Sequence, residues 1–202
     1  GKPPPNPPGA HFGRNPDGTS NGIAYETAAL LEAALPTVKD AVPKPLESAA
    51  RWLQYMAGFG ITATSEMTYS TSMLKGYEAL TTRPDSPVRM SLYHMAIDSD
   101  AGVQVDSPDP SMLRKQGVKL WADGSPWVGS IASSFPYLDS PAVQKAQIPL
   151  GPGGTAMMNY TRVELDALLA KYAPMGWQMA FHVNGDVGLD IVGERGEDHG
   201  GD

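Results

Sequence analysis

The 202-residue chain contains no cysteine, which excludes a disulfide framework and any thiolate metal site. It has no apolar run approaching the roughly eighteen residues that a membrane-spanning helix needs, so no span is expected, and a soluble, by default cytoplasmic, protein is the working expectation. It also lacks a basic cluster. Fifteen Lys and Arg stand against 22 Asp and Glu, a net charge of −7, which argues against nucleic acid as a partner because phosphate contacts require concentrated positive charge. There is no internal repeat. "GPGG" at 151–154 lacks the Lys-Ser/Thr of a phosphate loop, and Ser125 lacks the G-x-S-x-G setting of a serine hydrolase. The chain opens on Gly1, and "GKPPPNPPGAHFG" lacks the charged-then-apolar pattern of a secretory leader, so the expectation is a processed start or a segment from within a longer protein.

What is present is an alternation of strand and helix. Residues 1–22 read as an irregular segment with turns at "NPDG" and "SNG". Helices are expected over 24–36, stopping before Pro36, and over 45–60, where Leu46, Ala49, Leu53 and Met56 form a stripe. Strands are expected at 61–66, 87–97, 117–122 and 177–183, with a weaker helix at 70–82 and a short helical turn before the strand at 117. Residues 123–160 read as a long Ser-, Pro- and Gly-rich loop, the kind that in a compact domain is functional or disordered. Thr161 and Glu164 form a capping box for the helix 161–176, and Asp186 heads a brief helix ending at Val192. The glycine-rich, charged "GERGEDHGGD" (193–202) reads as a disordered or appended tail. The order implies an α/β fold with a parallel sheet and about four β/α units across 23–192, half of what a closed eight-stranded barrel needs.

Active groups in such folds gather at the carboxyl ends of the strands. Glu66, His94, Lys119 and His182 lie near those ends, and Asp123 and Asp186 follow just after. Histidine and carboxylate are good ligands for a hydrolytic metal, and a lysine amine becomes one when carbon dioxide converts it to a carbamate. Structural readings stand beside these. From the residues alone His94 reads more readily as a hydrogen-bonded core histidine, Lys119 as a snorkelling or paired cation, Asp123 as a turn former and Asp186 as a helix cap, and Glu66 also reads as half of an ion pair.

Three stretches taken together resemble the amidohydrolase superfamily, in particular amidohydrolase family 3 and its enzymes similar to N-substituted formamide deformylase. "GVKLWADGS" resembles its "VK-x-x-x-DGS" segment, "FHVNGD" its "H-x-x-GD" segment, and "NPDGTSNG" its "DG-x-x-x-G" segment. The resemblance runs from about residue 10 to 192. It implies a (β/α)8 barrel of the TIM type, of which this chain holds a central part, and metal-dependent hydrolysis of an amide, another C–N bond or an ester-like bond by metal-activated water. By position it makes Lys119 the carboxylated, metal-bridging lysine and His182 a metal ligand. Asp123 and Asp186 match motif residues expected to support the ligands or the backbone; Glu66 and His94, placed by their strand ends, are read in the same supporting role, and Trp127, Phe135 and Tyr137 of the long loop are expected to shape the pocket of a small-molecule amide or ester-like substrate. The cofactor implied is a divalent metal, zinc first, where the site is completed, and none otherwise.

The family's first-strand H-x-H is not found, since no two histidines here are one residue apart, and neither is its later histidine or its last-strand aspartate. Two ligands do not close a four-coordinate zinc site. The other reading is therefore a non-catalytic fragment that self-associates as a homo-oligomer, or completes a partner chain, through exposed sheet edges. A third, metal-free hydrolase reading rests only on the serines of "GSIASS" (129–134). The expected outcome for one isolated copy is little or no metal-dependent hydrolysis; sustained turnover by a purified monomer contradicts it.

Overall fold

In a computed structural model the chain runs through β1 (His11–Arg14), β2 (Ser20–Tyr25), α1 (Glu26–Val38), α2 (Pro45–Gly58), β3 (Ala63–Tyr69), α3 (Leu74–Thr81), β4 (Arg89–Met95), β5 (Leu113–Trp121), α4 (Pro141–Lys145), α5 (Arg162–Tyr172), β6 (Gln178–His182) and α6 (Asp186–His199). The structure describes residues 1–7, 10–38, 44–145, 148, 150–151 and 153–199. These fall into two compact units. One comprises Gly1–Thr37, Trp121–Ala173 and Phe181–Asp202, and the other Val38–Leu120 and Pro174–Ala180. No described helix is long and apolar enough to cross a membrane.

The second unit is built on a sheet of order β3-β4-β5-β6, in which β3 pairs with β4 and β4 with β5 in parallel. This open sheet with its helical crossovers is part of a (β/α)8 barrel of about four units, as the alternation implied. The edge strand β3 exposes every second residue through most of its length, whereas β4 and β5 bury nearly continuous runs, the pattern of strands covered on both faces. Leu53 of α2 and Leu80 of α3 pack against Met90, Leu92 and Leu113 to form the core of this unit. Glu66 ties α3 to β3, because its carboxylate accepts from the Thr68 amide at 2.8 Å, the Thr68 hydroxyl at 2.6 Å and the Tyr77 hydroxyl at 2.7 Å. Burial pushes that carboxyl up, but the hydrogen bonds outweigh it and hold the group below its ordinary range.

β5 begins at Leu113, four residues before the expected strand and in place of the expected helical turn. The reason is Lys115. In sequence it argues against a buried strand, yet the ammonium donates to the Ala101 and Val103 carbonyls at 2.5 and 2.6 Å and lies 3.6 Å from the centre of the Trp177 ring. Its hydrogen bonds also pin the loop between β4 and β5. Burial lowers its pKa to about 8. Gly117, two residues on, is required by close approach, since a Cβ there would sit 1.9 Å from the Gln178 carbonyl oxygen of β6.

In the first unit, the expected irregular stretch over residues 1–22 contains a hairpin. β1 and β2 pair antiparallel, His11 opposite Tyr25 with their rings stacked 4.3 Å apart. The turn closes on polar side chains: Asp17 accepts from the Thr19 amide and hydroxyl at 2.9 and 2.6 Å, so residues that read as loop formers act as hairpin formers. α1 continues two residues past Pro36. α5 carries the expected capping box, Glu164 amide to Thr161 Oγ1 at 3.3 Å and Thr161 amide to Glu164 Oε2 at 2.8 Å. α6 runs to His199 rather than stopping at Val192, so residues 193–199 are helical where a disordered tail was expected. Arg162 of α5 meets Glu194 of α6 at 3.0 Å. Residues 200–202 lie outside the described residues.

Lys115→Met keeps the length of the side chain but leaves the Ala101 and Val103 carbonyls without their donor. The expected outcome is a loss of about 1–3 kcal/mol of unfolding free energy, measured as a lower urea midpoint with an unchanged m-value.

Candidate active site

The strand end of β5 leads into Asp123, which is fully buried. Its carboxylate accepts three backbone N–H groups: Ala132 at 3.0 Å, Asn184 at 2.9 Å and Gly185 at 2.7 Å. One side chain thereby fastens the loop after β5 to the turn after β6. Gly185 must be glycine in this arrangement, because a Cβ would fall 2.0 Å from the Ala132 carbonyl oxygen. Asn184 completes the lacing, its Nδ2 donating to the Gly124 carbonyl at 2.9 Å and lying 2.8 Å from His182 Nε2. Asp186 heads α6 and accepts from the Ser134 amide at 2.9 Å and from the Ser134 hydroxyl. The Ser134 hydrogen bonds hold its carboxyl below the usual range. Among the sequence candidates of this unit, the structure therefore brings His182, Asp123 and Asp186 into one hydrogen-bonded region.

Glu26 belongs to the same unit and escaped sequence reasoning, because an acidic residue opening a helix reads as an ordinary dipole partner. It is the one non-glycine residue with positive φ (70°) among the described residues. That backbone lies in a region that side chains other than glycine, Asn and Asp rarely adopt. Its carboxylate reaches Gly124, where a Cβ would lie 2.1 Å from Oε1, and the Ser130 hydroxyl is 3.5 Å away. Burial pushes the carboxyl up, against the hydrogen bonds from Ser130 and Asn159. Asn159 in turn donates its Nδ2 to the Trp121 carbonyl at 3.0 Å and its amide to the Ala122 carbonyl at 2.8 Å.

In the second unit, Lys119 lies on β5 opposite Met95, and its carbonyl accepts from the Ala96 amide at 2.9 Å. Burial lowers its amine pKa. His94, 1% exposed, sits edge-on to Tyr69 and directs Nε2 to Asp98 at 3.2 Å and Asp100 at 3.3 Å. Burial, and secondarily the Lys115 charge, lower its pKa against the pull of the two aspartates. Asp98 and Asp100 were also missed; the "DSD" after a strand end was the available signal. Glu66 is committed to its contacts with Tyr77 and Thr68. Of the aromatic residues expected at a pocket, Trp127 and Phe135 are exposed at 86% and 57%, and Tyr137 is half-buried. Lys119 lies in one unit and His182 in the other.

The chain matches the family model described as an amidohydrolase family over residues 1–198. No curated protein matches it. Two solved structures share its fold. One is an uncharacterized metal-dependent hydrolase from Pyrococcus horikoshii, with TM-score 0.62 and 20% identity over 93% of this chain and 37% of that one. The other is an uncharacterized metal-dependent hydrolase from Pyrococcus furiosus, with TM-score 0.61 and 20% identity over 89% and 37%. The chain thus spans a little over a third of the length of each.

Asp123→Ala removes the acceptor for three amide N–H groups, two of them in bonds that are buried outright. The expected outcome is a loss of about 3 kcal/mol or more, read from urea unfolding, together with faster proteolytic cleavage within residues 124–134.

Proposed function

The chain belongs to the amidohydrolase family, and on that premise we propose that it carries part of the active site of a metal-dependent hydrolase that cleaves an amide, another C–N bond or an ester-like bond in a small molecule. The observation that carries this reading is the Asp123 lock. It supports a fixed course, within one unit, for the "DGS" loop and for the turn that follows the proposed ligand His182.

The donor chemistry fits a divalent cation such as zinc. His182 offers an imidazole. Lys119 is half-buried, and the lowered pKa of its amine favours the neutral form, the form that adds to carbon dioxide, losing a proton, to give an anionic carbamate with two oxygen donors. A cation held there would polarise the substrate carbonyl and lower the pKa of a bound water. Asn184 steadies the His182 ring, and Asp123 and Asp186 fix the backbone around it. Glu26, half-buried with its pKa raised by that burial, is placed to hold or move a proton at its carboxyl beside Gly124. Trp127, Phe135 and Tyr137 would line the substrate side of the loop.

The test is metal analysis of protein produced with zinc and bicarbonate, with Lys119→Ala as control. The expected outcome is at least a twofold fall in bound zinc in the variant. Equal metal content in both proteins contradicts the Lys119 assignment. Metal-free wild-type protein in stable oligomers favours the non-catalytic reading.

A further inference from the structure

We infer that His94, Asp98 and Asp100 form a divalent-cation site of their own, separate from Lys119 and suited to a zinc-class ion with mixed nitrogen and oxygen ligands. All three residues lie in the same compact unit. The strand supplies the nitrogen: His94 is the penultimate residue of β4, and its ring is locked between the strand and the edge of Tyr69. The oxygens come from the turns that follow. Asp98 donates its amide to the Met95 carbonyl at 3.0 Å, the Ala101 amide returns to Asp98 at 3.1 Å, and the Val103 amide to Asp100 at 2.9 Å. Lys115 then holds the carbonyls of Ala101 and Val103. The Thr71 hydroxyl hydrogen-bonds the Asp100 carboxylate. An outer hydrogen bond of this kind orients a carboxylate ligand.

Nε2 stands 3.2 Å from Asp98 Oδ2 and 3.3 Å from Asp100 Oδ1, and one ligand atom from each residue lies within 4.8 Å of the others. Two donors each about 2.0–2.1 Å from a tetrahedral zinc lie about 3.3 Å apart. The observed separations match such ligand edges. The ring turns Nε2 toward both carboxylates, so that one nitrogen and an oxygen from each aspartate converge. The ring itself is closed from solvent, while Asp98 and Asp100 keep 26% and 44% side-chain exposure, so an ion has an entry path and room for water in a fourth position.

The register keeps this site apart from Lys119. His94 pairs with Val118 and Met95 with Lys119. Side chains alternate along a strand, so His94 and Lys119 leave opposite faces of the sheet.

The experiment is a titration of the metal-stripped full chain with Zn2+ by calorimetry and with Co2+ by visible absorption. The proteins are wild type, Asp98→Asn, Asp100→Asn and Lys119→Ala. The two asparagine substitutions are near-isosteric and lie at partly exposed positions, so they test the site without the folding cost of the buried His94→Ala. The expected result is a cation-binding event that weakens at least tenfold in each asparagine variant, with loss of the cobalt spectrum, and that persists in Lys119→Ala. Zn2+ is also expected to raise the melting temperature of the wild type more than that of either asparagine variant. Unchanged affinity and stoichiometry in both asparagine variants, or no binding by wild type, overturns the site. Loss of the same event in Lys119→Ala overturns its independence.

Discussion

A buried carboxylate with no cation beside it among its recorded partners organises the region after β5. Asp123 is held by three amide N–H groups that arrive from two separate stretches of chain, Ala132 on one side and Asn184 and Gly185 on the other. A buried charge is tolerated only where its lone pairs are satisfied. The converse matters as much here: the amides of a loop buried away from water need an acceptor. The carboxylate and the loop therefore depend on each other. Gly185 at one contact and Asn184 beside His182 are consequences of that packing, since a larger residue at 185 would collide with the Ala132 carbonyl and Asn184 spans Gly124 and the histidine.

Lys115 plays the mirror role in the sheet unit. There a buried cation is neutralised by carbonyl dipoles and an aromatic face, and the loop between β4 and β5 takes its shape from those contacts. Because that loop carries Asp98 and Asp100, the position of the carboxylates relative to His94 is set by a lysine in the next strand. Both devices place polar groups where a hydrophobic contact would hold less specifically, since a hydrogen bond has direction and apolar burial has none.

The legible parts of the sequence were those whose signal is local. The capping box of Thr161 and Glu164 forms as read, because both hydrogen bonds close within four residues. The alternation of β3, α3, β4, β5 and β6 was visible because burial on both faces leaves a run of apolar residues. The early start of β5 was hidden, because Lys115 looks unfit for a buried strand until carbonyls from 12 and 14 residues away are counted. The β1–β2 hairpin was hidden because Asn, Asp and Gly signal both a loop and a hairpin turn. Lys119 and His182 were singled out by motif, whereas Glu26, Asp98 and Asp100 were not. Acidic residues are common at helix starts and turns, so nothing nearby in sequence marks the partners of Glu26, and only the "DSD" after β4 marks Asp98 and Asp100.

By itself the sequence determined the order of the parallel strands and the main helices between them, the α/β class and the family, because periodicity, capping and the spacing of "VKLWADGS" and "FHVNGD" are properties of short segments. Tertiary structure alone decided what Asp123 binds, that Glu26 sits with positive φ against Gly124, and that His94 faces two carboxylates. Those facts depend on segments up to about a hundred residues apart in the chain meeting at a few ångströms. Residue types and local propensity carry no record of such meetings until the backbone brings them together.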